Sequence, residues 1–164
     1  MEKLQKALIW ITGILDRHAI PYQLTGGLGA HAYGATRPIN DIDLDIPEDR
    51  FAEILDEVEP YIVYGPARYK DKVWDLDLMT LNYKGQEIDI GGAYDVKIMD
   101  EKTGEWHQYT ADLEAGNLMD ILGVKVRVAP KEDLIRYKSW LAMPGDHQER
   151  DVREMTGVLV SEFF

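Results

Sequence analysis

Apolar side chains recur in helix-like and strand-like periods along the first third of the chain. One segment repeats them at intervals of four, three and four, the spacing of a buried helix face: Leu4, Leu8, Ile11 and Leu15. Pro21 ends this helix, and residues 22–25 then form a short strand. Residues 40–46 alternate polar and apolar side chains, which predicts a strand that stops at Pro47. A further helix follows with its own buried stripe: Phe51, Ile54, Leu55 and Val58.

The middle of the chain predicts mainly strands. Residues 73–83 and 86–91 are typical of two strands joined by a two-residue hairpin turn at Lys84-Gly85. Residues 61–72 are a loop or an irregular strand. Residues 100–123 carry the weakest signals, with one short strand at 106–110.

The last third alternates strand and helix. Residues 124–128 alternate as a half-exposed strand, and a helix begins after Pro130. Asp146 and Glu149 resemble a capping box that starts a final helix. The apolar residues expected on its buried face are Met155, Val158 and Leu159.

The length and composition suit one globular domain. With 164 residues, 45% of them hydrophobic, we expect residues 1–164 to fold around a single core. No apolar run approaches the roughly 20 residues that cross a bilayer, and the N-terminus leads into an amphipathic helix rather than a signal peptide. We therefore expect a cytoplasmic protein without a membrane partner.

Cysteine content and charge narrow the chemistry. Cysteine is absent from the sequence, which excludes disulfides, thiolate metal sites and cysteine nucleophiles and leaves hard oxygen ligands as the plausible metal chemistry. The formal net charge of -12 argues against a nucleic-acid partner, because binding to its backbone relies on basic surface. A small cationic substrate is better matched to the negative electrostatic potential of such a protein.

The most informative pattern joins a glycine pair to a run of alternating aspartates. Gly26 and Gly27 end a predicted strand, where glycines let backbone amides approach a phosphate and open a helix whose positive end attracts anions. Asp41, Asp43 and Asp45 share one face of the next strand. Like charges this close are tolerated mainly when a cation lies between them. The motifs together indicate a site for magnesium and a nucleoside triphosphate, whereas solvated aspartates on an edge strand are the alternative.

In this order, Gly26, Gly27, Asp41 and Asp43 resemble the motifs of the nucleotidyltransferase superfamily related to DNA polymerase beta, in its minimal single-domain form. The motif order is similar to that of the lincosamide nucleotidyltransferases and of the small nucleotidyltransferase partners of HEPN proteins. The resemblance implies an α+β fold with a mixed, twisted β-sheet flanked by helices. It also implies two Mg²⁺ ions and transfer of a nucleoside monophosphate from a triphosphate.

The superfamily pattern also requires a third carboxylate on a later strand. With the two-residue turn, Asp89 lies opposite Thr80 on a face rich in leucine, and Asp75 and Asp77 face the other way. An aspartate on such a face is costly unless a cation or a donor meets it. We therefore assign Asp89 to the catalytic, metal-binding set with Asp41 and Asp43; a hydrogen-bonded core aspartate is the alternative. Asp75 and Asp77 are expected on a solvated face or a rim.

Two cationic residues are candidates for phosphate binding. Lys138 lies on the buried stripe of its predicted helix, so its ammonium either reaches the surface or neutralises a buried negative charge. Minimal family members are similar in carrying a lysine in such a helix near the triphosphate. Arg37 stands four residues before Asp41, where relatives often carry an arginine, although Ile39 replaces the threonine common in that motif. The predicted nucleotide-binding residues are Gly26, Gly27, Arg37 and Lys138.

These assignments predict an Mg²⁺-dependent enzyme that moves AMP from ATP to a hydroxyl of an unidentified acceptor, such as an antibiotic. Aromatic residues are candidates for an acceptor pocket or for core packing: Tyr64, Tyr69, Trp74 and Tyr94. A second copy of so small a chain is a candidate to complete the acceptor cleft. Asp151, in the final helix, is a charged helix residue or approaches the substrates.

Two other classes compete with this interpretation. One is an antitoxin-like interaction partner of a HEPN toxin, with limited or protein-directed nucleotidylation activity. The other is a metal-dependent glycosyltransferase with an Asp-x-Asp pair, although only 40 residues precede Asp41 here. Retention of three carboxylates favours the nucleotidyltransferase.

Overall fold

The computed structural model describes residues 2–157 and combines helices with a large sheet. Within this range the α-helices are α1 (Glu2–Arg17), α2 (Gly26–His31), α3 (Leu55–Val58), α4 (Lys131–Leu141) and α5 (His147–Thr156). The strands are β1 (Gln23–Thr25), β2 (Asp41–Ile46), β3 (Ile62–Lys70), β4 (Trp74–Tyr83), β5 (Gln86–Gly92), β6 (Val96–Asp100), β7 (Glu105–Tyr109), β8 (Asn117–Ile121) and β9 (Val124–Val128). Short 3-10 helices lie at Glu48–Ile54, Glu59–Tyr61 and Leu113–Ala115. In this part of the chain, every helix is too short or too polar to cross a membrane.

All nine described strands join one mixed, twisted sheet. Its order is β7-β6-β4-β5-β2-β1-β9-β8, and β3 also pairs with β4. The β2–β5 and β1–β9 pairs are parallel, and the remaining pairs are antiparallel. The expected α+β fold is thereby confirmed. The short strand β1 lies inside the sheet, between β2 and β9.

Several elements of the structure differ from those predicted from the sequence. The segment expected to be a loop or an irregular strand is β3, whose register against β4 shifts on both sides of Tyr64. β6 and β8 have no counterpart among the predicted strands. The helix expected after Pro47 begins as a 3-10 helix and becomes α-helical only at Leu55, yet it buries Phe51 and Ile54 as predicted. The predicted burial of Val158 and Leu159 falls outside the described residues.

The predicted hairpin fixes the register of the strands that carry the candidate site. Lys84 and Gly85 both have positive φ, at 51° and 90°, which is the conformation of a tight two-residue turn. Tyr83 then pairs with Gln86, and the same ladder continues along both strands. This register decides which side chains of β5 face the site.

The two faces of β2 have opposite roles. Ile42, Leu44 and Ile46 are at most 1% exposed and belong to the same buried cluster as Leu8 and Leu15 of α1. Because side chains alternate along a strand, the aspartates of β2 point to the other face. The core thus anchors Asp43 and Asp45 through an apolar neighbour on each side, and Asp41 through Ile42.

Candidate active site

β1 ends in a tight glycine bend that faces β2. Gly26 has a φ of +62°, and a Cβ at this position would overlap the Asp43 carboxylate. The Gly26 N–H donates a 2.8 Å hydrogen bond to the Tyr137 hydroxyl, so this amide already has an acceptor within the protein. The Asp43 side chain therefore lies directly against the bend.

Four carboxylates of β2 and β5 lie beside this bend, and three of them converge. β2 and β5 run parallel with Asp41 beside Glu87 and Asp43 beside Asp89. One carboxylate oxygen each from Asp41, Glu87 and Asp89 lies within 4.8 Å of the other two. The alternation of both strands places all four residues on the same face of the sheet.

The electrostatics of this cluster favour a cation. Burial, and then the charges of Asp41 and Asp89, raise the pKa of Asp43 well above its ordinary value. Burial also raises the pKa values of Asp89 and Glu87, and the Asp41 carboxylate adds to both increases. A divalent cation would relieve this repulsion, and carboxylate oxygens are the hard ligands that Mg²⁺ prefers. The donor set therefore fits a metal site.

Asp89 also has a fixed hydrogen-bond partner on β4. Thr80 lies opposite Asp89 in the ladder, and its Oγ1 donates to Asp89 Oδ1 at 2.6 Å. This hydrogen bond lowers the pKa of Asp89 against the effect of burial. One carboxylate oxygen of Asp89 is thus oriented by the protein.

A buried ion cluster lies on the other side of the glycine bend. Arg37 Nε donates to both oxygens of Asp151 at 2.8 and 3.0 Å, and Lys138 Nζ donates to the same carboxylate at 3.0 Å. Lys138 also donates to Gln148 Oε1 at 2.9 Å. Burial lowers the pKa of Lys138, and the Asp151 charge opposes this effect. The Arg37 guanidinium covers Gly27, where a Cβ would lie 2.5 Å from Nη2.

An open cavity of about 940 Å³ connects the glycine bend, the carboxylates and the cations. All seven site residues predicted from the sequence line it: Gly26, Gly27, Arg37, Asp41, Asp43, Asp89 and Lys138. Three of the four candidate aromatic residues line it as well: Tyr64, Tyr69 and Trp74. Tyr94 does not; it is 45% exposed outside this lining. Asp75 and Asp77 bind Arg68 instead, in keeping with their expected position on the opposite face or rim.

The cavity continues along β2 beyond the carboxylate cluster. Asp45 lies beside Gly91, and burial together with the charge of Glu48 raises the pKa of Asp45 to about 8. Tyr109 is 4% exposed and also lines this region, and its buried hydroxyl has no hydrogen-bond partner among the described residues. This part of the cavity therefore offers the Asp45 carboxyl group to a ligand.

Two contributors to the site lie outside the sequence prediction. Glu87 stands two residues before Asp89, and the strand alternation that placed Asp89 in the site places Glu87 there too. Tyr137 precedes Lys138 in α4, and no sequence signal identifies its contact with Gly26 because the two residues are 111 positions apart.

The chain is similar to known proteins in sequence and in fold. The family model of aminoglycoside-2″-adenylyltransferase matches residues 7–157. No protein of curated function matches the chain.

Several solved structures share the fold. The structure of ANT(2″)-Ia in complex with adenylyl-2″-tobramycin is 21% identical, covers 96% of this chain and 91% of its own, and has a TM-score of 0.60. The lincomycin-bound lincosamide antibiotic adenylyltransferase LnuA is 16% identical, with 92% and 94% covered and a TM-score of 0.58. An antigenic nucleotidyltransferase-like protein from Paracoccidioides brasiliensis is 17% identical, with 94% and 74% covered and a TM-score of 0.56.

Proposed function

Because the chain belongs to the aminoglycoside-2″-adenylyltransferase family, we propose that it transfers AMP from ATP to a hydroxyl of a small, antibiotic-like acceptor. Membership of this family makes the chain a nucleotidyltransferase. The observation that carries the proposal is the acidic cluster of Asp41, Glu87 and Asp89, with Asp43 beside Asp89 in the ladder and against the bend at Gly26. A carboxylate cluster of this kind serves metal-assisted phosphoryl chemistry.

In this proposal, Asp41, Asp43 and Asp89 hold two Mg²⁺ ions. When bound, such ions would lower the pKa of the acceptor hydroxyl and neutralise charge on the phosphates. Glu87 lies close enough to Asp41 and Asp89 to support the same cluster. Burial, and then repulsion between these carboxylates, raises their pKa values, and a bound cation would offset both effects.

The transfer exchanges one phosphorus–oxygen bond for another. The acceptor hydroxyl oxygen bonds to the α-phosphorus, and the bond from that phosphorus to the β-phosphate bridging oxygen breaks. Pyrophosphate leaves with the bonding electron pair. Asp89 accepts the hydroxyl proton, because Thr80 orients its carboxylate on the floor of the cavity. Arg37 and Lys138 bind the triphosphate across Gly27.

The remaining part of the cavity is proposed to hold the acceptor. The volume of the whole cavity, about 940 Å³, lies at the upper end of the roughly 300–1,000 Å³ that ligand pockets span. Asp45 presents a carboxyl group in the remaining part, and Tyr109 lines the same region. Neighbours in the fold were solved with an adenylylated tobramycin and with lincomycin, which supports an antibiotic-like acceptor here.

A product assay tests the proposal. The chain is incubated with ATP, Mg²⁺ and a panel of aminoglycosides and lincosamides, and mass spectrometry detects an acceptor that gains one AMP. Pyrophosphate release is measured in parallel. We expect Asp41→Asn combined with Asp43→Asn to abolish Mg²⁺-dependent pyrophosphate release, because the metal-binding oxygens lose their charge.

The matched control is Asp120→Asn, which alters an exposed aspartate paired with Lys125 on the far edge of the sheet. Full activity in the double variant would overturn the metal assignment. Absence of any nucleotidylated product across the panel, with an intact wild-type protein, would instead favour the antitoxin-like binding partner.

A further inference from the structure

Asp151 is a fully buried carboxylate that joins two parts of the candidate site. It is 0% exposed, and it accepts hydrogen bonds from Arg37, in the loop before β2, and from Lys138 of α4. Asp151 itself lies on α5, so the contact draws three separate elements together. Neither cation would be held in this place by its own element alone.

Arg37 and Lys138 each keep N–H donors that Asp151 does not use. Asp151 uses only Nε of Arg37, while Nη2 lies over Gly27 at the glycine bend. Lys138 is 1% exposed and is held on two sides, by Asp151 and by Gln148. Both cations line the cavity, whereas Asp151 lies behind them and does not.

Two cations surround Asp151, and the Asp43 carboxylate at the glycine bend is a further negative charge that acts on Lys138. Since Asp43 is proposed to bind metal, the cluster itself keeps one positive charge for a partner in the cavity. A buried cation without compensation is costly, and a planar guanidinium beside an ammonium binds phosphate oxygens well when both are held in place. The arrangement therefore suits an anionic ligand that arrives from the cavity side.

We propose that Asp151 is the positioning residue of the nucleotide subsite: it holds Arg37 and Lys138 together as one preformed clamp for the triphosphate of ATP. This inference rests on the proposed function. Asp151 does not contact the nucleotide and acts only through the two cations. Preorganised donors avoid the entropic cost of ordering two long side chains when the ligand binds.

The test compares Asp151→Asn with Asp133→Asn. Asp133 is a partly buried aspartate of α4 that pairs with Arg136 and does not line the cavity, so it controls for the loss of an ion pair elsewhere in the protein. Two readouts are used: binding of a non-hydrolysable ATP analogue with Mg²⁺, measured by calorimetry, and KM for ATP and for the acceptor together with kcat. Thermal unfolding reports the stability of each variant.

In Asp151→Asn we expect the analogue to bind about tenfold more weakly and KM for ATP to rise by a similar factor, as for loss of a charge-assisted hydrogen bond, with KM for the acceptor unchanged. Asp133→Asn should stay within about twofold of wild type. Removing an anion beside phosphate would by electrostatics alone tighten ATP binding. Unchanged or tighter binding in Asp151→Asn would therefore overturn the positioning role.

A second variant keeps the test decisive if Asp151→Asn does not fold. Gln148→Ala retains the buried ion pairs and removes the second acceptor of Lys138. Because Gln148 also lines the cavity, KM is measured for both substrates, and we expect KM for ATP to rise about threefold with KM for the acceptor unchanged. A KM for ATP equal to that of wild type would contradict the clamp. A wild-type protein that neither binds the analogue nor releases pyrophosphate would refute the proposed function itself, an outcome separate from failure of the Asp151 variants alone.

Discussion

Thr80 and Asp89 face each other across the β4–β5 ladder, and the Thr80 hydroxyl donates to the Asp89 carboxylate at 2.6 Å. This single contact orients the carboxylate that we propose as proton acceptor. It also lowers the pKa of Asp89, against the effect of burial. The protonation and the direction of this group are therefore controlled from the neighbouring strand.

Replacing Thr80 with valine keeps the side-chain shape and removes the donor. Since the hydrogen bond favours the charged form of Asp89, its loss raises the pKa of Asp89. We expect the acidic limb of the pH profile of kcat/KM to move to higher pH and activity at neutral pH to fall about fivefold, as for one lost hydrogen bond. Thr80→Ser should restore the profile. A profile identical to wild type in Thr80→Val would refute the role of this contact.

The glycine bend offers a test of stability. In Gly26→Ala the methyl group overlaps the Asp43 carboxylate and the residue must keep a φ of +62°, so we expect a loss of roughly 2 kcal/mol or more in the free energy of unfolding, together with loss of activity. Gly13→Ala is the control. A Cβ there lies 3.5 Å from Arg17 Nη1 inside α1, and the change should stabilise the protein by about 0.5–1 kcal/mol. Urea unfolding measures both, and equal effects would contradict the strain at the bend.

The metal-free protein should lose stability as pH rises. The pKa of Asp45 is about 8 in the folded protein and 3.8 without the fold, so between these values the native state holds a proton that the unfolded chain has released. The contribution of Asp45 to the free energy of unfolding is thus fully present below its unfolded pKa of 3.8 and is lost as pH rises to its folded pKa of about 8. The slope of this loss is at most about 1.4 kcal/mol per pH unit. The raised pKa values of Asp43, Asp89 and Glu87 act in the same direction.

Thermal unfolding at pH 6, 7 and 8, with and without Mg²⁺, tests this linkage. We expect the melting temperature of the metal-free protein to fall across this range and Mg²⁺ to raise it most at the highest pH, because metal ions and protons compete for the carboxylates. Asp45→Asn should make the metal-free curve less steep, because only the other raised carboxylates remain, whereas Asp120→Asn, an exposed control, should not. A melting temperature that rises with pH in the metal-free protein would contradict the assignment.

The sequence predicts those parts of the site that depend on local rules. The two-residue turn at Lys84-Gly85 fixes the register of the hairpin, and that register places Asp89 opposite Thr80. Strand alternation does the same for the aspartates of β2. The hairpin register and the strand alternation both depend on spacing within a few residues, so a single sequence is enough to predict them.

Other features depend on contacts between distant segments, which a single sequence does not show. The position of Lys138 on a buried stripe indicates a buried charge to neutralise, and the structure shows that Asp151 supplies it from another helix. The sequence does not predict β6 and β8, because their apolar patterns are short and partly exposed. Each forms a strand by pairing with a longer or more regular neighbouring strand. Tertiary pairing, rather than propensity, decides such elements.

The three-residue strand β1 places the carboxylates of β2 beside the part of the sheet that should open least often. Ala129 is 0% exposed and donates its amide hydrogen to the Leu24 carbonyl of β1, so the Ala129 amide should exchange with solvent only when the whole molecule unfolds. β3 lies at the margin of the sheet, where Val63 is 66% exposed, and it should open separately. Such a division would let the wall of the cavity adapt to differently shaped acceptors while the phosphorus chemistry proceeds on a fixed floor.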